Sequence, residues 1–447
     1  MPDPREAALL VFLDWAASRT SADELLSARL GGDQLSARDR DLVTELVWGV
    51  FRWRGRLDWQ LAAIVHRPLE DLHPPVLWIL RLGLYQLEHL DRIPAHAAVN
   101  SAVELAKRFG HRGSASLVNA VLRAAPRVLP TLVEPDAATD PLAHLSARTS
   151  HPEWLLERWL ARVGFRRTLA LAARNNERPV LTLRVVSARV EPRTLAAELR
   201  RRGVQTEPGV HLADRLRLPG GWCPAVREVL EGGLAVVQDE AAGLVSQLVQ
   251  AAPDMSVLDV CSAPGGKALQ LAEQVGRGIV VAGDVSLRRL RLLQASCRRL
   301  GERRVQPVAA DGLAPATGGG FDRVLVDAPC SNTGVLGRRP DARWRREPQD
   351  LPRLARLQGE LLDAARTQVR PGGLLVYATC SLEPEENEEV VRDYLERHRE
   401  DGLLPAECVL PGDFVENGFL RTDPARQPLD GAFGAILELR GTGGEQE

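Results

Sequence analysis

Asp259-Val-Cys-Ser-Ala-Pro-Gly-Gly-Lys267 sits between a short apolar run, read as a strand over 256–260, and a stretch read as a helix over 267–275. A turn in that setting aims backbone N–H groups at a bound anion, and Gly265 and Gly266 let the ligand come close. It is neither Gly-x-Gly-x-x-Gly nor Gly-x-x-x-x-Gly-Lys-Ser/Thr, so the dinucleotide and P-loop readings both fail; the carboxylate of an amino-acid-like cofactor fits better. Outward from the turn, strands are read at 279–283, 305–309, 322–327 and 373–378, with helices at 287–300, 353–369 and 385–398. Alternating β and α predicts a parallel sheet with helices on both faces, and ligands at the carboxyl edge of its strands.

That edge receives two thiols. Cys330 follows Val324-Leu-Val326 in Asp327-Ala-Pro-Cys330, and Cys380 follows Leu374-Leu-Val-Tyr377 in Ala378-Thr-Cys-Ser381. A lone cysteine at a strand end is ordinarily a small core residue. Two of them beside a cofactor turn point to covalent chemistry. Asp284 ends the second strand and Asp311 the third, where acidic side chains accept hydrogen bonds from ribose or act as turn formers.

Upstream, residues 1–135 read as helical throughout, with a capping box at Ser36-Ala-Arg-Asp39 and further helices over 74–90, 95–109 and 114–124. No nucleophile, metal cluster or phosphate loop is evident there, so this block reads as a binding module. Residues 136–232 read as a linker and a small α+β domain, with a strand at 181–186, a helix at 192–202 and a strand at 215–218; the linker begins in the Pro- and Ala/Asp-rich stretch 125–142. Residues 233–447 form the α/β block.

The net charge of -2 excludes a uniformly basic coat. Local basic stretches remain: residues 286–304 carry seven Arg against one Glu, and 331–356 carry seven Arg against three acids. Arg338, Arg339, Arg343, Arg345 and Arg346 read either as solvated or as phosphate contacts, and Trp344 among them either as a stacking surface or as core. Of 57 basic side chains only Lys107 and Lys267 are lysine, which marks the end of the glycine turn as a place for a compact ammonium. The six cysteines form no Cys-x-x-Cys, so a zinc site and a disulfide framework are not expected. With no long apolar span and no signal-peptide layout at Met-Pro-Asp-Pro-Arg-Glu, the expected location is the cytosol, without a membrane partner.

Taken together, Asp-Val-Cys-Ser-Ala-Pro-Gly-Gly-Lys, Asp327-Ala-Pro-Cys-Ser-Asn-Thr-Gly334 and Thr379-Cys-Ser-Leu-Glu-Pro-Glu-Glu-Asn-Glu388 resemble the motifs of the S-adenosylmethionine-dependent RNA cytosine-5-methyltransferases. The helical start, with Ile93-Pro-Ala-His-Ala-Ala-Val-Asn-Ser-Ala-Val-Glu-Leu-Ala-Lys107 and Leu117-Val-Asn-Ala-Val-Leu-Arg123, resembles a NusB-type RNA-binding domain. The pairing resembles the RsmB (Sun) branch, which acts on bacterial small-subunit ribosomal RNA. The resemblance implies an all-α NusB-like domain, a small α+β domain and a Rossmann-like class I methyltransferase domain. It further implies a monomeric, metal-free enzyme that methylates carbon 5 of a cytosine in 16S RNA.

By that resemblance, Cys261, Ser262, Ala263, Pro264, Gly265, Gly266 and Lys267 hold the methionine end of S-adenosylmethionine, Asp284 the ribose and Asp311 the adenine side. Cys380 is the nucleophile, Asp327 binds the cytosine edge beside the cofactor, and Cys330 assists release. Two positions depart from the family: Asn332 stands where Gly or Ala is common, and Asp430-Gly-Ala-Phe-Gly replaces the usual Asp-Gly-Phe-Phe, which is expected to affect packing of the final strand. Other readings are a non-catalytic RNA-binding or antitermination factor, and a cytosine-5-methyltransferase for another RNA such as tRNA.

Overall fold

The computed structural model describes residues 3–32 and 35–439. It forms two compact units, the first from residues 1–177 together with 336–348, the second from 178–335 together with 349–447.

The first unit is helical: α1 (Pro4–Ala17), α2 (Ala22–Gly32), α3 (Ala37–Ala62), α4 (Pro74–His89), α5 (Ala95–Phe109), α6 (Ser114–Val128), α7 (Pro141–Thr149) and α8 (Glu153–Asn176). Local chemistry sets the ends. Ser36 accepts a hydrogen bond from the Asp39 N–H at the start of α3, and Gly110 closes α5. The stretch read as a linker contributes the last turn of α6, with Pro126 inside it, and the helices α7 and α8 follow where the sequence suggested none. The polar-rich register of α8 concealed it, as did the break at Gly164, whose φ of 74° interrupts the helix. The core is anchored by rings: Phe12 stacks on Trp78 at 4.8 Å, with Phe51 and Trp15 edge-on or tilted against them.

Residues 336–348 belong to this unit, and their contacts overturn the phosphate-binding reading for Arg343 and Arg345. Trp344 packs on the helical core and donates its indole N–H to the Phe51 carbonyl at 2.7 Å. Arg343 is buried and donates to the Ser150 and Asn175 carbonyls and to Asn176 Oδ1. Burial first, then Arg52, holds its pKa well below the ordinary guanidinium value. Arg345 donates to the carbonyls of Trp15, Ser18 and Thr20. These side chains are structural ties because a planar guanidinium can satisfy several carbonyls at once.

The second unit opens with a four-stranded antiparallel sheet, order β2-β3-β1-β4, built from β1 (Leu181–Val185), β2 (Glu207–Pro208), β3 (Arg215–Leu218) and β4 (Ala235–Val237). Helices α9 (Pro192–Arg201) and α10 (Pro224–Glu231) accompany it. A larger sheet follows, containing β5 (Ser256–Asp259), β6 (Ile279–Asp284), β7 (Val305–Ala309), β8 (Phe321–Asp327), β9 (Val369–Thr379), β10 (Gly402–Leu404), β11 (Val415–Glu416), β12 (Phe419–Thr422) and β13 (Ala432–Glu438). Its order is β11-β12-β13-β9-β8-β5-β6-β7, with β10 on β13. The five strands foreseen from sequence run parallel, and β13 joins β9 antiparallel, making the sheet mixed. The remaining strands are antiparallel too: β10 and β12 pair with β13, and β11 pairs with β12 across the two-residue turn 417–418.

Helices α11 (Glu240–Leu248), α12 (Gly266–Gln274), α13 (Leu287–Leu300), α14 (Asp350–Arg366) and α15 (Glu388–Arg397) complete the unit. Separate apolar clusters form around the large sheet, one with Leu269, Leu293 and Val376, the other with Val326, Leu362 and Tyr394. From β5 the chain steps outward to β6 and β7, then returns to place β8 and β9 on the other side. The reversal between β5 and β8 opens a crevice at their carboxyl ends, the place such sheets use for ligands.

Candidate active site

At that crevice β5 ends in Asp259, and the turn beyond it leads into α12. Gly265 adopts φ of 100°, and a Cβ there would sit 2.1 Å from Leu293, so only glycine fits. Asp259 is buried and neither carboxylate oxygen has a hydrogen-bond partner; the Ser262 hydroxyl is likewise buried and unpartnered. Burial, reinforced by Asp327 and opposed by Lys267, pushes the Asp259 carboxyl up to about 7.

The fold therefore binds a proton that the unfolded chain releases at about 3.9. Between those values the native state holds more protons, so this group's contribution to stability falls as pH rises and levels off above about 7. In thermal melts, Asp259→Asn is expected to gain on the wild type as pH rises from about 5 to about 8. A melting difference independent of pH across that range contradicts the assignment.

Asp284, ending β6, accepts from the backbone N–H groups of Ala263 at 3.1 Å and Ser286 at 2.8 Å, which ties the glycine turn to the next strand. Arg289 faces the same carboxylate at 3.4 Å and donates to the Ala263 carbonyl. Asp311 accepts from the Leu313 N–H and, with Gly283, Val260 and Gly312, lines a cavity at the ends of β5–β7. Val285 and Leu313 stand exposed beside these two acids, apolar surface suited to a flat ring.

Across the crevice, Lys267 Nζ donates to Asp327 Oδ2 at 2.7 Å. Burial works against the ammonium, and Asp327 and Asp259 outweigh it, leaving the Lys267 pKa raised. Cys380 is also within electrostatic reach of this cation.

Cys330 and Cys380 lie with their Sγ atoms 3.0 Å apart. Adjacent parallel strands deliver them: Asp327 of β8 is in register with Ala378 of β9, and each cysteine follows its strand's end. Cys330 is buried and Cys380 partly exposed. The hydrogen bond with Cys380, then burial, raises the Cys330 thiol well above its ordinary value, so it stays protonated near neutrality.

Glu386 was quoted in the motif without a role, and it proves to tie both cysteine loops together. This buried carboxylate accepts from Ser331 N–H at 2.8 Å, the Ser331 hydroxyl, the Ser381 hydroxyl at 2.6 Å and Gln358 Nε2 at 3.1 Å. Ser331 and Ser381 each follow a cysteine, a pattern that could have signalled a shared acceptor. Glu386→Ala strands several buried donors and is expected to cost about 2–4 kcal/mol, read as a lower urea midpoint at unchanged slope. A second missed group is Gln238, which joins buried Arg184 to the cofactor turn by donating to the Gly266 carbonyl at 3.4 Å.

Ala432, Phe433 and Gly434 of the Asp430-Gly-Ala-Phe-Gly segment are buried in β13, and Gly431 before them reaches the site. Gly431 N–H donates to the Gly334 carbonyl at 2.8 Å, and Gly334 N–H to the Cys380 carbonyl at 2.9 Å. A Cβ on Gly334 would meet Gly431 O at 2.5 Å, so this close backbone approach requires glycine. Among the described residues no helix is long and apolar enough to cross a membrane, and no cluster of three metal-ligating side chains occurs.

Residues 246–438 match the family model for the 16S rRNA methyltransferase RsmB/F, residues 2–127 that for the NusB family, and residues 151–224 that for an RsmF/B-like ferredoxin-like domain. The chain is 34% identical to a probable ribosomal RNA small subunit methyltransferase B of Bacillus subtilis, over 98% of this chain and 99% of that one. It is 37% identical to the ribosomal RNA small subunit methyltransferase B of Pseudomonas putida, over 88% and 89% of the two chains. Among solved structures, the one titled Crystal Structure of PH0851 aligns with a TM-score of 0.81 and 26% identity, covering 98% of this chain and 99% of that chain. A NusB helical block, a small ferredoxin-like domain, a Rossmann-like catalytic domain and 34–37% identity to ribosomal RNA methyltransferases over most of the chain give one conclusion: the chain belongs to the 16S rRNA methyltransferase RsmB/F family, whose cofactor is S-adenosylmethionine.

Proposed function

We propose that this protein methylates carbon 5 of a cytosine in 16S ribosomal RNA, through a transient bond between Cys380 and carbon 6 of that base. The observation that carries the reading is the pair of sulfurs 3.0 Å apart at the carboxyl ends of β8 and β9, beside the Lys267–Asp327 pair. When bound, S-adenosylmethionine supplies an electrophilic methyl group.

The residues present suit that cofactor. Cys261 to Lys267 offer the helix N-terminus and a close backbone approach to its carboxylate, and the unpartnered oxygens of Asp259 and Ser262 face the same turn. Asp284 would take the ribose and Asp311 the adenine side, with Val285 and Leu313 flanking the ring.

Carbon 5 of cytosine is a poor nucleophile until a thiolate adds at carbon 6 and makes the ring enamine-like. In this reading Cys380 adds, and Asp327, oriented by Lys267, hydrogen-bonds the base edge as charge develops. Once its sulfur is bonded to carbon, Cys380 is a weaker partner for Cys330. The main cause of the raised Cys330 pKa is then relieved, so Cys330 can release its proton to solvent, and its thiolate takes the carbon-5 proton. Proton loss re-forms the double bond and expels Cys380.

A paired cytosine hides both ring faces, so the substrate must present it unpaired or flipped. Bisulfite sequencing of unmodified 16S RNA, treated with the purified protein and S-adenosylmethionine, is expected to show one new 5-methylcytosine. Methylation at another atom or on another RNA only would overturn the reading.

A further inference from the structure

Asn332 is the one departure from the family pattern that touches a reacting group. It follows Cys330 by two residues and adopts φ of 66°, a left-handed conformation that asparagine tolerates better than most side chains. Its Nδ2 donates to the Cys330 carbonyl at 3.2 Å, and its Oδ1 accepts from Cys380 Sγ at 3.2 Å. A carbonyl oxygen accepts only from a donor, so the first bond fixes which end of the carboxamide faces the sulfur.

The Cys380 thiol thus has two neighbours in reach, an amide oxygen and the sulfur of Cys330. The amide oxygen is much the stronger acceptor, so the Cys380 proton points to Asn332 and a sulfur lone pair is turned to the Cys330 S–H. One side chain thereby spans both cysteine segments and sets the direction of the hydrogen-bond chain Cys330 to Cys380 to Asn332.

We propose that Asn332 is a positioning residue for Cys380: its carboxamide, anchored on the Cys330 carbonyl, fixes the rotamer and proton direction of the thiol before attack. This inference rests on the reading of Cys380 as the nucleophile.

The test uses the full-length protein with Asn332→Gly and Asn332→Asp, measuring methyl transfer to 16S RNA. Glycine suits the positive φ, so its effect reports the lost carboxamide and not backbone strain. Asn332→Gly is expected to lower kcat about tenfold, with KM for RNA and for cofactor changed less than about twofold. Asn332→Asp keeps the shape but sets a carboxylate against the sulfur, and kcat is expected to fall roughly hundredfold or more. A role confined to loop stability predicts instead that the two variants lose melting temperature and KM together, with kcat spared. Wild-type kcat in Asn332→Gly, or equal kcat in the two variants, overturns the proposal. If Cys380→Ala is inactive while Asn332→Gly turns over normally, only the positioning role fails; if Cys380→Ala is active, the nucleophile assignment itself fails.

Discussion

Cys380→Ala is expected to lower methyl transfer to 16S RNA by at least about 10³-fold while leaving S-adenosylmethionine affinity within about twofold, because it removes a nucleophile and not a binding group. Without addition at carbon 6 the pyrimidine has no electron-rich carbon 5 to offer, and no neighbouring group can substitute. Cys330 is the nearest thiol, yet it is buried, and burial alone disfavours its thiolate, so it is a poor replacement. The side chain of Cys380 is only partly buried, and loss of one sulfur there is expected to change stability by no more than about 1 kcal/mol. Calorimetry with S-adenosylmethionine separates a folded, inactive variant from a misfolded one. Retained turnover by a folded Cys380→Ala protein removes the covalent mechanism.

The second large effect is opposite in kind. Cys330→Ala is expected to let Cys380 add to the base and the methyl group transfer, then to stall, accumulating an RNA-linked protein that survives denaturing electrophoresis. Steady-state turnover should drop roughly 10²–10⁴-fold, the span typical of losing a positioned acid–base group. The double variant Cys330→Ala with Cys380→Ala should yield no such species, since the linkage is to Cys380. Were the roles exchanged, the linked species would instead form with Cys380→Ala. With the sulfurs 3.0 Å apart, the proposed mechanism has both acting on one bound base.

Much of the catalytic block was legible along the chain. The five parallel strands stand within a few residues of their expected places, because each is a short apolar run closed by Gly, Pro, Asp or Ser, and such local signals survive folding. The glycine turn, Asp284, Asp311, Asp327 and the two cysteines were identified by position relative to those strands. The helices α7 and α8 and the antiparallel strands after α15 were less legible, since packing rather than local periodicity defines them.

The arginine run shows the same limit. From sequence, Arg343 reads as solvated or as a phosphate contact and Trp344 as a stacking surface or as core; in the fold Arg343 is buried among carbonyls and Trp344 joins the helical core. Charge pattern cannot distinguish a guanidinium that meets phosphate from one that meets peptide carbonyls, because the same donors serve both.

By itself the sequence determined the order of the parallel strands and the helices between them, the family and the residue types that reach the carboxyl edge of the sheet, because these follow from periodicity and short motifs. The tertiary structure alone decided that Cys330 and Cys380 face one another, that Glu386 binds both of their loops, and that Asn332 reaches a sulfur 48 residues away. Those pairings depend on the register between β8 and β9, and register is set by how side chains pack across the whole sheet, which no single segment encodes.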